Sequence, residues 1–312
     1  MQDKDEKIKA QIRNIFLLIS LIATPILLSG FLLSCSDDDI TASPDNYLVE
    51  FPQGDNPYDM EIREIYEKYG TQMLYRFNDA MFRWQVTGRL DYISTEGDER
   101  YVAEAIAFIK HNCLDFYCDD SLKLMLPYRI YLAKNLSRIF SYSGNNISGN
   151  HVSYTDTIPG IAAVNGYCNI CFGCVNNRLA GLSEDSLQLV KGELNAALIA
   201  YGLEQGLFKV PDTFTKLEFS NVNWSNFVGV GGYNAYGLLE YIDAKSMTPE
   251  QDFTLFLKYL LAYPTDKFES RFTSSAFDTS GRIARKAAIV RDWMRNEYGI
   301  DLVTLANKEI IK

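Results

Sequence analysis

Histidine is what this chain has least of. Two occur in 312 residues, His111 and His151, so chemistry that needs several imidazoles is nearly excluded. His111 falls near the end of a predicted helix, where it suits the negative end of the helix dipole, and His151 follows a polar loop, isolated and exposed. A cationic cluster is also missing beyond residue 34. With 30 Lys and Arg against 40 Asp and Glu, the net charge of −10 argues against a nucleic-acid partner, because phosphate binding is driven by grouped basic side chains. No internal repeat is present. What remains is ample for a packed core: 47% of residues are apolar, with 20 Tyr and 18 Phe among them.

The N-terminus has its own logic. Lys4, Lys7, Lys9 and Arg13 precede an apolar run from Ile15 to Leu33, as in a secretion signal. A run of that length could also span a membrane as an uncleaved anchor. The junction Leu32-Leu33-Ser34-Cys35 followed by Ser36-Asp37-Asp38-Asp39 resembles a lipoprotein signal, with Cys35 as the residue that receives lipid. The reading is a signal peptide over 1–34, a lipidated tether over 35–55 and a globular domain over 56–312. Serine and acidic residues directly after the lipidated Cys look like the surface-export signal of Bacteroidota lipoproteins. That resemblance implies an outer-membrane, lipid-anchored protein facing the cell exterior, with the membrane as partner through Cys35.

Local signals mark several elements. Asn56-Pro57 opens a helix that Gly70 stops, with Ile62, Ile65, Tyr66 and Tyr69 on its apolar side. Met73, Tyr75 and Phe77 alternate as in a strand, and Phe82 to Val86 forms a second candidate strand before Gly88. Helical spacing covers Asp98 to His111, Leu122 to Leu136 reads as a strand region, and Ser141 to Asn150 as a polar loop. The longest pattern is Leu182 to Gly206: Leu187, Val190, Leu194, Leu198 and Tyr201 share one face, and the other faces are nearly as apolar. It predicts a buried central helix, N-capped by Ser183 and stopped by Gly206. Within it, Gly192 and the charged Glu193 stand out on a wall of small residues. Glu193 either faces a cavity or is held by an Arg or backbone partner. Thr248-Pro249-Glu250-Gln251 caps a further helix that Pro264 ends, and a last helix stops at Gly299.

The succession Ile62 to Gly88, a helix leading to a strand with Tyr75-Arg76-Phe77, resembles the lipoproteins of Bacteroidota classed as zinc-binding metallopeptidases. The order of the later segments also fits, over most of residues 56–270. The resemblance implies an α+β fold, a helix-rich single domain with a small sheet packed on a buried central helix, metallopeptidase-like. Active members of that family carry His-Glu-x-x-His on the long helix, two imidazoles for zinc and a Glu as general base toward the metal-bound water. Here that register falls on Gly192, Glu193 and Ala196. Only the Glu remains, and no His follows position 151, so no register offers a two-His site. The expectation is a degenerate scaffold with no catalytic residue, a vestigial Glu193, and no metal or cofactor. The function expected of it is a binding or accessory protein of nutrient uptake, beside an outer-membrane importer. An alternative is a hydrolase, acting on peptide or glycan through carboxylates without zinc, Glu193 with Glu240 or Asp252.

Two further features bear on function. Cys168, Cys171 and Cys174 form Cys-x2-Cys-x2-Cys, with Cys113 and Cys118 upstream. The motif lacks a fourth ligand and an exported chain seldom acquires a cluster, so disulfides or buried thiols are expected. Five cysteines besides Cys35 leave at least one unpaired within one chain. The glycine- and aromatic-rich stretch from Asn223 to Tyr236 offers Trp224, Tyr233 and Tyr236 for a peptide or glycan ligand; as a plain loop its aromatics would simply cover the core.

Overall fold

In the computed structural model, which describes residues 50–145, 149–217, 232–240 and 247–311, helix α1 (Pro57–Tyr69) leads into a short strand β1 (Gln72–Leu74). Asn56 and Asp59 close a capping box at its start, and Gly70, at φ 75°, ends it in the left-handed conformation open to glycine. The candidate strand Phe82 to Val86 is not one. Asn78 accepts a hydrogen bond from the Ala80 N–H and starts a helical turn, α2 (Asp79–Arg83), after which Trp84 makes only an isolated bridge to Arg89. Then come β2 (Tyr92–Glu96), α3 (Val102–Asn112) and α4 (Asp119–Met125). Residues Leu122 to Met125 are thus helical, where a strand was expected, and the strand begins only after Pro127.

That strand, β3 (Arg129–Asn145), organises the sheet. Its first part lies parallel to β1 and to β6 (Asn169–Phe172). Its remainder pairs antiparallel with β2 and with β4 (His151–Pro159), and β5 (Ala163–Gly166) closes the edge antiparallel to β6. The first half of the expected polar loop Ser141 to Asn150, Ser141 to Asn145, is therefore ladder. Ser141 faces Thr155 and Asn145 faces His151, a long-range pairing with no local apolar signature.

Strand alternation divides the core in two. Met73, Ile130, Leu132, Ile170 and Phe172 point to the large cluster shared with the helices, whereas Leu74, Tyr131, Ala133 and Cys171 point the other way. The second face has thin cover: Phe82 of α2, with Phe51, Met81 and Leu90 half-buried around it.

After a turn of helix, α5 (Arg178–Gly181), the central helix α6 runs Glu184–Glu204 as expected, with the Ser183 hydroxyl accepting from the Ser186 N–H and Gly206 at φ 73° past its end. It is buried around most of its circumference. A short α7 (Asp212–Thr215), then α8 (Pro249–Ala262), α9 (Thr265–Phe272), α10 (Arg282–Tyr298) and α11 (Leu302–Ala306) complete the helical layer. The capping box of Thr248 and Gln251 is present at α8. Pro264 ends α8 and starts α9, a helix the pattern did not disclose. Packing begins before Asn56: Gln53 is buried, accepting from the Tyr75 and Arg76 N–H groups and donating to the Arg76 carbonyl. The whole is an α+β domain, rich in helix, with a small mixed sheet against a buried central helix.

Candidate functional site

The crossing of α6 and α8 places the site. A methyl group on Gly192 would lie 2.3 Å from the Lys258 carbonyl oxygen and 2.7 Å from Ala262 Cβ, so the two helices approach as closely as they do only because residue 192 has no side chain. This resolves why a glycine that costs about 1 kcal/mol in helix propensity sits mid-helix. One turn on, Ala196 is buried.

Between those positions Glu193 emerges at the rim of the sheet. The Ala162 N–H, just ahead of β5, donates to Oε2 at 2.8 Å, and the Lys258 Nζ lies 3.0 Å from Oε1. The same Nζ lies 3.0 Å from Oε1 of Glu240, which also accepts from the Tyr259 hydroxyl. One ammonium thus bridges two carboxylates. Side-chain exposures of 19% for Glu193, 20% for Lys258 and 30% for Glu240 keep the cluster within reach of water. Burial opposes the charge on Lys258, but Glu193 and then Glu240 outweigh it and hold the ammonium above the ordinary lysine range. The carboxylate is therefore held by backbone and cation together, the cation being a lysine.

Asp252, six residues before Lys258 on α8, does not join Glu193. It forms a fully buried pair with Lys286 of α10, beneath the rings of Phe214 and Phe256 at 5.0 and 5.7 Å from the ammonium. Burial raises the Asp252 pKa, with Lys286 opposing the shift, and Oδ1 has no hydrogen-bond partner among the described residues.

The other sequence candidates are dispersed. His111 pairs with Asp115 at 2.9 Å and His151 contacts Ser143 at 3.3 Å, each away from α6. Tyr233 and Tyr236 are half-buried, Tyr233 meeting Phe277 edge-on at 6.2 Å. The segment that carries them continues through buried Leu238 and Leu239 to Glu240, so it delivers a carboxylate to Lys258. Trp224, Cys35 and the signal segment lie outside the described residues. All five cysteines described are free. A spacing of three reverses direction along a strand: Cys171 belongs to one face of the sheet, Cys174 to the large core beyond the other, and Cys168 occupies the β5–β6 turn at φ 55°. Burial pushes the Cys174 thiol up to about 12 and also raises the Cys113 and Cys171 thiols above the ordinary range. Among the described residues no group of three or more His, Cys, Asp or Glu side chains is placed to hold a metal.

The residues present do not fit the zinc of a His-Glu-x-x-His site. Gly192 and Ala196 supply no donor atom, and the oxygens of Glu193 already face an ammonium and a backbone N–H. Lys258 is what sequence reasoning missed. Its signal was present, a lone charge in the apolar run Phe253 to Leu261, the same anomaly that singled out Glu193.

The fold is metallopeptidase-like. It matches a crystal structure described as a "putative zinc-binding metallo-peptidase" from Bacteroides caccae with a TM-score of 0.50 and 16% identity, over 81% of this chain and 92% of that one. At that identity the likeness shows the fold alone. No family model matches the chain, and no curated protein does.

Proposed function

We propose that this chain is a lipid-anchored protein of the cell surface whose metallopeptidase-like domain is non-catalytic and serves a binding or accessory role in nutrient uptake. The observation that carries the reading is the Glu193–Lys258–Glu240 bridge beside Gly192. At the place where the resemblance puts a metal, its ligand and its base, this chain has a tethered ammonium, a helix crossing and a carboxylate whose oxygens face that ammonium and a backbone N–H. Lipidation at Cys35 and exposure outside the cell are supported by the Ser34-Cys35-Ser36-Asp37 junction and its basic and apolar approach. No helix among the described residues is long and apolar enough to cross a membrane.

Zinc content and peptide hydrolysis of the purified protein, before and after metal loading, test the non-catalytic reading. The expected result is no tightly held equivalent and no chelator-sensitive cleavage. Cleavage lost in Glu193→Gln would defeat it. For the anchor, Cys35→Ala should leave the membrane fraction, and added protease should reach the wild-type protein on intact cells.

A further inference from the structure

The thinly covered face of the sheet ends in a group of exposed aromatic and basic side chains. Trp84 is 55% exposed and Val86 68%, on the tight loop closed by the Trp84–Arg89 bridge. Tyr167, in the β5–β6 turn, is 46% exposed and meets the Trp84 ring at 5.2 Å. Next to that turn the Arg129 N–H reaches the Cys168 carbonyl at 3.4 Å, and the Arg129 guanidinium lies 5.1 Å from the ring of exposed Tyr128. Neither Arg89 nor Arg129 has a carboxylate within ion-pair distance among the described residues.

Charge distribution sets this surface apart. The protein carries 40 acidic residues, yet residues 80–90 contain none and residues 121–183 contain only Asp156; Asp79, paired with Arg83, and exposed Asp91 flank the loop. An acidic domain has no need to display Trp, Tyr and Val beside exposed Arg89 and half-buried Arg129, which donates to Gln72 but meets no carboxylate among the described residues, whereas an anionic bilayer surface takes that combination: aromatic rings at headgroup level, an apolar loop tip below them, guanidinium groups on the phosphates. Phe51, at the start of the described residues, packs against the small cluster that Leu90 and Met81 cover as well as against the large one. Residues 36–50 separate Phe51 from Cys35, a reach of at most about 60 Å when fully extended.

We infer that the face bearing Trp84, Val86, Arg89, Tyr128, Arg129 and Tyr167 is a membrane-docking surface that lays the domain on anionic lipid headgroups. The inference rests on the lipid-anchored reading for its biological setting, though the surface itself is testable without the lipid. The packed unit spans Val49–Lys312 with its core inside it, so that unit can be mixed with vesicles of phosphatidylcholine alone or of equal parts phosphatidylcholine and phosphatidylglycerol. It should sediment with the mixed vesicles at low salt and not with the neutral ones, and its tryptophan emission should move to shorter wavelength. Arg89→Glu and Val86→Asp, both at exposed positions, should each weaken the partition about tenfold. No sedimentation with the mixed vesicles, undiminished binding by both variants, or a dimer in solution that Val86→Asp splits would overturn the inference. Cys35→Ala fractionation judges the anchor separately: vesicle binding by the unit with unchanged fractionation would keep the surface and remove the anchor.

Discussion

Helix α8 carries two lysine–carboxylate clusters six residues apart, and they differ in every respect that matters for energy. At Lys258 one ammonium meets two carboxylates, which also accept from a backbone N–H and a tyrosine hydroxyl, with water in reach. At Asp252 one carboxylate meets one ammonium of α10 in a fully dry, aromatic setting. Desolvation of two ions is costly and only their mutual attraction offsets it, so the buried pair is fragile toward removal of either partner and indifferent to salt. The cluster at the rim is the reverse: individually replaceable, screened, and placed where the resemblance puts a metal. Ion pairs on one helix can thus be a fixture of the core at one end and a water-reached, screened cluster at the other.

The largest expected effect breaks the buried member. Lys286→Met leaves Asp252 charged, or forces it neutral, with no partner, and should lower unfolding stability by about 3–5 kcal/mol in urea titrations. The double change Lys286→Met with Asp252→Leu should recover most of the loss. If the single change proves as mild as one at the rim, the contrast between the two clusters is wrong.

Next in size is the helix crossing. Any side chain at residue 192 must begin where the Lys258 carbonyl oxygen stands, so Gly192→Ala should cost about 1–3 kcal/mol despite its better helix propensity. Gly192→His with Ala196→His should fail to bind zinc by calorimetry. Tight stoichiometric zinc in that variant would show that the crossing can yield and the scaffold was merely waiting for ligands.

A third lysine sharpens the comparison because it has no carboxylate partner among the described residues. Lys191 is fully buried and donates to the carbonyls of Leu305 at 3.5 Å, Ala306 at 2.9 Å and Lys308 at 3.3 Å, at the end of α11. Burial lowers its pKa to about 8. Its folded pKa lies below the unfolded one, so between about pH 8 and the ordinary lysine range the unfolded chain binds more protons and stability rises with pH. Relative to Lys191→Met, the wild-type protein should gain about 1–3 kcal/mol across that window. A flat difference would mean the three carbonyl acceptors keep the amine protonated.

What the sequence disclosed follows from where each signal resides. Caps and stops are local, which is why α1, α6 and α8 could be placed from Asn56, Ser183 and Thr248. Strand pairing is not local: the polar residues Ser141 to Asn145 become ladder because β4 lies opposite, and Phe82 to Val86 loses its strand to a single Asn78 cap. Glu193 was conspicuous as a charge on a wall of small residues, yet its partners come from a strand approach, from α8 and from the segment after Tyr236. Nothing in the spacing of those residues joins them. Gly192 was legible as an anomaly, and only the path of α8 explains it.

The smallest effect belongs to Glu193 itself. Glu193→Gln keeps an oxygen for the Ala162 N–H and leaves Lys258 paired with Glu240, so no buried donor is stranded. What disappears is the strongest upward influence on the Lys258 pKa. A lysine whose folded pKa is raised adds stability fully present below its unfolded pKa and lost only as pH climbs through the folded value, so the change should be felt at neutral pH and fade in strong alkali. With the cluster partly exposed the expected loss is about 0.5–1.5 kcal/mol, shrinking in high salt, where the Lys286 pair should not respond. Urea midpoints of wild type and variant at low and high salt measure this directly. A loss matching that of Lys286→Met, or one that salt leaves untouched, would mean Glu193 is held as a core ion, and that Lys258 does not sit at a solvent-reached rim.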